Sequence, residues 1–323
     1  MKQFSELTKR GKILRYRSVA LQALESYPVR VRSMRFISSG SKPVFRVDTD
    51  SGRYAVKFHN PLEHKLPQMM GELRFLSHVA RVSGLDVETP LRNRSGKLVT
   101  VVRSPLLPEP AYVAVCRWVS GRALADFISV GAYRNLGRCA AMLHRAARSF
   151  RPGKNFDILV NDRVFYWDKE TILSLDDKKL LPKRRQDLFR KGARLVDREI
   201  KRTWKNRKPV VIHNDLHPCN IKVHRGALSI FDFEDITWGF PEQDIGTAIY
   251  HVRFEKNYPG LLGGFRAGYE GVLPWPFGSG RQLELLAAAR VLMFANYVIN
   301  YNINPAKYLR IFERKLRTIL EAP

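Results

Sequence analysis

The residues best equipped for chemistry lie between positions 213 and 234. His213-Asn214-Asp215-Leu216-His217-Pro218-Cys219-Asn220 reads His-x-Asp-x-x-x-x-Asn, and Asp232-Phe233-Glu234 follows. Phosphoryl transfer from a nucleoside triphosphate uses parts of this kind in this order. The transferred group is highly charged, so catalysis is mostly positioning and neutralisation. Asp215 can orient an acceptor hydroxyl. Asn220 and Asp232 offer hard oxygen ligands, a set that suits Mg²⁺ and not zinc. An Asp after an apolar strand is often only a turn former, so the combination carries the reading and no single residue does. The elements fit: the apolar run 209–212 predicts a buried strand that delivers His213 and Asp215 to a loop. Residues 220–223, the turn Arg225-Gly226 and residues 227–231 predict a hairpin that brings Asn220 and Asp232 together.

Upstream, apolar spacing predicts a helix over 7–27, closed by Pro28. An antiparallel meander follows over 29–37, 44–49 and 53–58. The small-residue loop Ser38-Ser39-Gly40-Ser41 can lie over phosphates and donate backbone N–H groups, or be an ordinary hairpin loop. Lys57 sits on a half-buried strand, where an ammonium costs desolvation unless paired, or else faces solvent from an edge. Beside a nucleotide it would contact the α- and β-phosphates. Glu72, on a helix predicted over 66–82, is its natural partner. Glu63 competes, but Pro61 and Pro67 flank it and disfavour a helix there. Strands at 98–102 and 111–116 complete a five-stranded antiparallel sheet. The chain then leaves through Arg117-Trp118-Val119-Ser120-Gly121, where Val115, Arg117 and Trp118 are candidates to receive an adenine edge. Helices are predicted at 135–149, 282–300 and 305–321. His144 reads as structural. Asp244, after the turn Trp238-Gly239-Phe240-Pro241, can cap a helix or brace the catalytic loop.

The chain has 323 residues, 45% hydrophobic and 27% charged, enough for two lobes with a sizeable core. No uninterrupted apolar run is long enough to span a bilayer, and residues 1–17 lack the apolar segment of a secretory signal, so a cytoplasmic location is expected. Three cysteines (Cys116, Cys139, Cys219) without a Cys-x-x-Cys point to neither a disulfide framework nor zinc. Fifty-six Lys and Arg against 30 Asp and Glu give a net charge of +26. Such a field attracts polyanions, unless it is a compositional bias spread over the surface. The densest basic stretch, 178–208, has Leu188, Leu195, Ile200 and Trp204 on one helical face, which predicts an amphipathic helix with a basic outer side.

With these motifs in view, the chain resembles the aminoglycoside phosphotransferase superfamily, which includes choline kinases and fructosamine kinases. The resemblance rests on His213-x-Asp215-x-x-x-x-Asn220, Phe231-Asp232-Phe233 and Gly239-x-Pro241-x-x-Asp244, and covers almost the whole chain. It implies an α+β, protein-kinase-like two-lobed fold. The N-lobe, 1–115, would hold the five-stranded sheet and a helix. A linker would occupy 116–121, and a larger, mainly helical C-lobe 122–323. It implies ATP and Mg²⁺ as cofactors and Asp215 as the base. Asn220 and Asp232 would be metal ligands, Lys57 a phosphate contact oriented by Glu72, and His213 and Asp244 braces. Glu234 stands where many protein kinases have Gly, and no Ala-Pro-Glu follows, so a small-molecule hydroxyl is the expected acceptor.

Three functions are weighed. The first is an ATP-dependent kinase of a small molecule. A +26 chain repels polycationic acceptors unless a local acidic patch exists, with Glu255, Glu270 and Glu284 the candidates, so an anionic or neutral metabolite ranks first. The second is a kinase of a macromolecular or anionic acceptor (RNA, lipid or lipopolysaccharide, protein) that uses the 178–208 region. The third is a nucleotide-binding pseudokinase, disfavoured because Lys57, Asp215, Asn220 and Asp232 are all present.

Overall fold

The computed structural model describes residues 2–39, 43–59 and 66–321. In chain order the first elements are α1 (Lys9–Leu24), β1 (Val31–Ser39), β2 (Pro43–Thr49), β3 (Gly52–His59) and α2 (Leu66–Val82). Next come β4 (Asp86–Val87), β5 (Thr100–Val102), β6 (Ala111–Arg117), β7 (Arg122–Ala123), α3 (Val130–Ser149), β8 (Leu159–Val160) and α4 (Lys183–Trp204). The catalytic motif falls among β9 (Val210–Ile212), β10 (Ile221–His224) and β11 (Ala227–Ile230). The chain ends with β12 (Thr237–Gly239), α5 (Pro241–Tyr250), α6 (Tyr258–Glu270), α7 (Gly280–Asn300) and α8 (Pro305–Glu321).

The chain divides into two compact units. The first contains residues 1–121, 150–157 and 222–234. Its sheet has the order β1-β2-β3-β6-β5 and is antiparallel throughout. Side chains on a strand alternate between faces. One face, with Phe45, Val47, Val56, Phe58, Val113 and Val115, buries Val19, Ala20, Ala23 and Leu24 of α1. The other, with Ala114 and Cys116, buries Met69 and Leu73 of α2. Lys57 lies opposite Ala114 in the β3–β6 register, so it shares the α2 face. The lobe boundary expected near 121 needs one correction. The β10–β11 hairpin returns to this unit, because β11 pairs parallel with β4 (Ser229 with Asp86, Ile230 with Val87). Phe75 of α2 fastens both returning segments, with ring centroids 5.3 Å from Phe150 and 6.3 Å from Phe233.

The second unit contains residues 122–149, 158–221 and 235–323. α4, α7 and α8 share a core that includes Phe189, Ala193, Val196, Val291, Leu292, Leu309 and Leu316. α3 and α6 approach closely enough that a Cβ on Gly268 would stand 1.8 Å from the Arg134 carbonyl oxygen, so only glycine fits. A small sheet ordered β8-β12-β9 supports the entry to the catalytic loop, with Thr237 opposite Ile212.

The basic helix runs from Lys183 to Trp204, shorter than the predicted span. Several of its cations serve the fold: Arg185 pairs with Glu313 at 2.7 Å, and Arg190 donates to the Leu173 carbonyl at 3.0 Å. α7 is long and apolar enough to cross a bilayer, which the sequence reading did not anticipate. Two-thirds of its most apolar window is buried within the protein, where it forms the core of this unit.

Candidate active site

Two constellations, one in each unit, hold the candidate residues. In the first, the Lys57 ammonium lies 2.7 Å from the carboxylate of Glu88, which is buried. Glu88 directly follows β4 and Asp232 closely follows β11. The parallel pairing of those strands therefore sets the two residues side by side, and the Asp232 N–H donates to Glu88 Oε1 at 2.9 Å. Burial alone would lower the Lys57 pKa. The carboxylates of Glu88 and Asp232, with Glu72 adding to them, hold it well above the ordinary lysine value. Glu72 is buried on α2 as the helix prediction placed it, but the short ion pair is made by Glu88. Sequence reasoning missed Glu88 because a two-residue strand leaves no periodic signal. Asp232 adopts φ 67°, a conformation uncommon for a residue with a Cβ and often found at functional positions.

Ser38 is exposed at the end of β1, and the Ser39 backbone pairs with Pro43. Gly40 and Ser41, like Glu63, lie outside the described residues. The adenine candidates hold the following backbone partners. Val115 points its side chain into the α1-side core, and its carbonyl accepts from Leu91 N–H at 2.7 Å. Arg117 N–H donates to the Thr89 carbonyl at 2.8 Å and Trp118 N–H to the Arg53 carbonyl at 2.9 Å. These three groups are thus taken by the 89–91 segment and by Arg53. The Arg117 guanidinium bonds Asp86 and the Val87 carbonyl.

In the second unit, β9 ends in the loop that carries His213, Asp215 and Asn220. Buried backbone donors need partners. Asp244, in the first turn of α5, supplies them by accepting from the N–H groups of His213, at 2.9 Å, and Asn214. It braces the loop and does not cap its helix. His144 Nε2 lies 3.2 Å from Asp244, and His144 Nδ1 lies 3.0 Å from Tyr269 Oη, so His144 holds the brace, as its structural reading implied. Asn214, at φ 68°, donates to Tyr166 Oη and accepts from Asn161 Nδ2 at 2.9 Å. His213 is buried, and its Nδ1 accepts the Asp215 N–H at 3.3 Å.

The Asn220 amide nitrogen donates to the Asp215 carbonyl oxygen (3.1 Å) and to Asp215 Oδ2 (2.9 Å). With its nitrogen so engaged, the Asn220 side-chain oxygen is turned away from Asp215, as a metal ligand requires. Two further groups contact Asp215: His217 Nε2 at 3.2 Å from Oδ2, and Arg290 of α7 on Oδ1. Burial would raise the Asp215 pKa. The His217 hydrogen bond and the Arg290 charge outweigh it and hold the carboxyl well below the usual range. Arg290 and His217 were not singled out from the sequence. Arg290 lies 75 positions from Asp215 on a helix that reads as ordinary core. Among the described residues no three His, Cys, Asp or Glu side chains cluster as a metal site. A divalent ion held by Asn, Asp and substrate phosphates needs no such cluster. Cys219 is exposed, while burial pushes the Cys139 thiol up to about 11.

A hairpin-borne Asp beside a clamped Lys, and a His-x-Asp-x-x-x-x-Asn loop braced by an α5 carboxylate, are the parts of a protein-kinase-like phosphotransferase. The comparisons agree. Residues 33–281 match the model of the phosphotransferase enzyme family, and the chain belongs to that family. It is 25% identical over 257 residues to amicoumacin kinase of Bacillus subtilis (strain 168), covering 77% of this chain and 71% of that protein. It is 22% identical over 281 residues to hydroxylysine kinase of Mus musculus, covering 81% and 74%. Among solved structures, amicoumacin kinase hAmiN in complex with AMP-PNP and Ca²⁺ superposes with a TM-score of 0.74 at 16% identity, covering 95% and 96%. A microcompartment-associated aminopropanol kinase superposes at 0.72 with 20% identity, covering 94% and 98%. The fold is therefore α+β and protein-kinase-like, and the chain is an enzyme, a phosphotransferase that acts on a hydroxyl group.

Proposed function

We propose that Asp215 is the base of this transfer and that Lys57, Asn220 and Asp232 hold Mg²⁺-ATP. Lys57 meets the α- and β-phosphates, kept charged and aimed by Glu88. Asn220 and Asp232 hold Mg²⁺, which when bound neutralises phosphate charge. Asp215 orients the acceptor hydroxyl. A new oxygen–phosphorus bond forms as the β,γ-bridge breaks, and the hydroxyl proton passes to Asp215 and then to solvent, leaving a phosphate monoester and ADP.

The observation that carries this reading is the pair of hydrogen bonds that the Asn220 amide donates to Asp215, in a loop whose backbone Asp244 fixes. It presents one carboxylate to an acceptor while freeing an amide oxygen for metal. The relatives' printed acceptors, amicoumacin, hydroxylysine and aminopropanol, support a small molecule. The test is a metabolite-extract screen with labelled ATP and Mg²⁺, comparing wild type with Asp232→Ala and Asp215→Ala. Label transfer is expected in the wild type and lost in both variants. Unchanged transfer by Asp215→Ala would remove the mechanism.

The exposed cations of α4, Lys183, Arg184, Lys191, Arg194 and Arg198, support a second role as a contact for polyanions. Binding of that kind weakens steeply with salt. Salt-independent binding, or none at low salt, counts against it.

A further inference from the structure

The longest stretch of the second unit without helix or strand runs from Asn161 to Pro182, between β8 and α4. Connections longer than about 12–15 residues are uncommon, and those that are ordered usually serve a function. This one is pinned. The Asn161 N–H donates to the Trp238 carbonyl of β12 at 2.9 Å. The Asn161 carbonyl accepts from Trp204 Nε1 of α4 at 2.9 Å and from Gln243 Nε2 of α5 at 2.8 Å. The Val164 N–H donates to Asp197 of α4 at 2.8 Å. Farther along, Asn296 of α7 accepts from the Thr171 and Ile172 N–H groups at 2.8 and 3.1 Å, and Asn296 and Asn300 both donate to the Lys169 carbonyl. Side chains of three helices thus hold the backbone of an irregular segment.

The pinned segment supplies two buried side chains, Asn161 and Tyr166, that meet one residue of the catalytic loop. Asn161 Nδ2 donates to Asn214 Oδ1 at 2.9 Å, and Asn214 Nδ2 donates to Tyr166 Oη. Asn214 directly precedes Asp215 and stands at φ 68°, in the left-handed region that few residues with a side chain adopt. The peptide ahead of Asp215 is therefore held twice. Asp244 takes its N–H, a contact open to any residue but proline. Asn161 and Tyr166 take its side chain, and that contact needs an amide, one end accepting while the other donates. Without it the peptide can rotate toward the commoner backbone regions, and the next side chain turns with it. Asp215 meets Asn220, His217 and Arg290 together, so a small rotation disturbs all three contacts.

We propose that Tyr166 and Asn161 are positioning residues for Asp215: through the Asn214 amide they lock the left-handed peptide that aims the carboxylate. This rests on the assignment of Asp215 as the base.

The test follows the initial rate of label transfer from γ-labelled ATP into a fixed metabolite extract, with the full chain, Mg²⁺ and varied ATP. Tyr166→Phe removes one hydroxyl and should lower kcat by about 10-fold, with the ATP KM within about 2-fold of wild type, as misplacement of a reacting group would do. Asn161→Ala should act alike. Asn214→Ala loses the side-chain contact and also disfavours the backbone conformation, so it should cost about 100-fold. Glycine adopts positive φ freely, so Asn214→Gly should recover about 10-fold over Asn214→Ala although it restores no contact. In the Asn214→Gly background, Tyr166→Phe should change kcat by less than about 2-fold, because the hydroxyl has no amide to hold. A hydroxyl with a merely structural role would cost the same in both backgrounds.

Thermal unfolding establishes that each variant is folded, and Asn161→Ala carries the same cycle if Tyr166→Phe does not fold. Wild-type kcat in a folded Tyr166→Phe, or equal losses in the two backgrounds, overturns the proposal. Transfer that persists in Asp215→Ala, or is absent from the wild type, removes the assignment of the base and this inference with it. Transfer that needs Asp215 but neither Tyr166 nor Asn161 removes this inference alone.

Discussion

Lys57 and Glu88 form a 2.7 Å ion pair in which the same carboxylate also accepts the backbone N–H of Asp232. One buried side chain thus aims the ammonium proposed to bind phosphate and fixes the turn that presents the Asp proposed to bind metal. Glu88→Gln keeps the shape but removes the charge. It should lower kcat/KM for ATP by about 10–100-fold, the range for groups that orient a metal ligand. Glu72→Gln, which removes the carboxylate with the smaller effect on Lys57, should cost less. Steady-state kinetics on the two variants check the order. A larger loss for Glu72→Gln would return the orienting role to α2.

Asp244 touches no reacting group in the proposed mechanism, yet it carries the backbone of His213 and Asn214. Asp244→Ala should lower kcat by about 100-fold through misplacement of Asp215, with little change in the ATP KM. His144→Phe removes only the outer brace and should cost less. Equal falls in kcat and rises in ATP KM would show a general loss of structure instead.

Burial pushes the His251 pKa down to about 3, with the charges of His217 and Arg290 adding to the effect. The folded protein therefore holds fewer protons at this site than the unfolded chain between the ordinary histidine pKa, about 6.5, and about 3. Its contribution is complete above that ordinary value and is lost as pH falls toward 3, with a slope of up to about 1.4 kcal/mol per pH unit. Urea unfolding from pH 7 to 5 should show His251→Gln losing less stability than wild type. Parallel losses would mean that His251 is already charged in the folded state.

Two glycines of α6 separate packing from propensity. Gly268→Ala drives a Cβ into the Arg134 carbonyl and should destabilise by more than about 2 kcal/mol, the range for overpacking. Gly263→Ala meets nothing within 4 Å and should stabilise by about 0.5–1 kcal/mol through helix propensity. Thermal unfolding of the pair checks both signs.

Long elements with a strong period were legible. The helices at 66–82 and 305–321 end where the sequence placed them, and the meander strands differ by one or two residues. The helix expected at 135–149 starts earlier, at Val130, where the Ser129 hydroxyl accepts the Ala132 N–H at 3.2 Å and satisfies a donor of the first turn. Short strands without a period were not legible: β4, β8 and β12 have two or three residues each, and two of them position Glu88 and the catalytic loop.

What the sequence determined by itself was the inventory of the proposed reaction. His213, Asp215, Asn220 and Asp232 have side-chain chemistry that is fixed by residue type, and their spacing follows from a strand, a loop and a hairpin that form locally. What the tertiary structure decided was which charges surround that inventory. Glu88 pairs with Lys57, 31 positions away, and meets Asp232 through a parallel pairing of segments more than 140 positions apart, and Arg290 reaches Asp215 from a distant helix. Electrostatic interaction depends on distance and burial in space, and neither is encoded in the local pattern around the residues concerned.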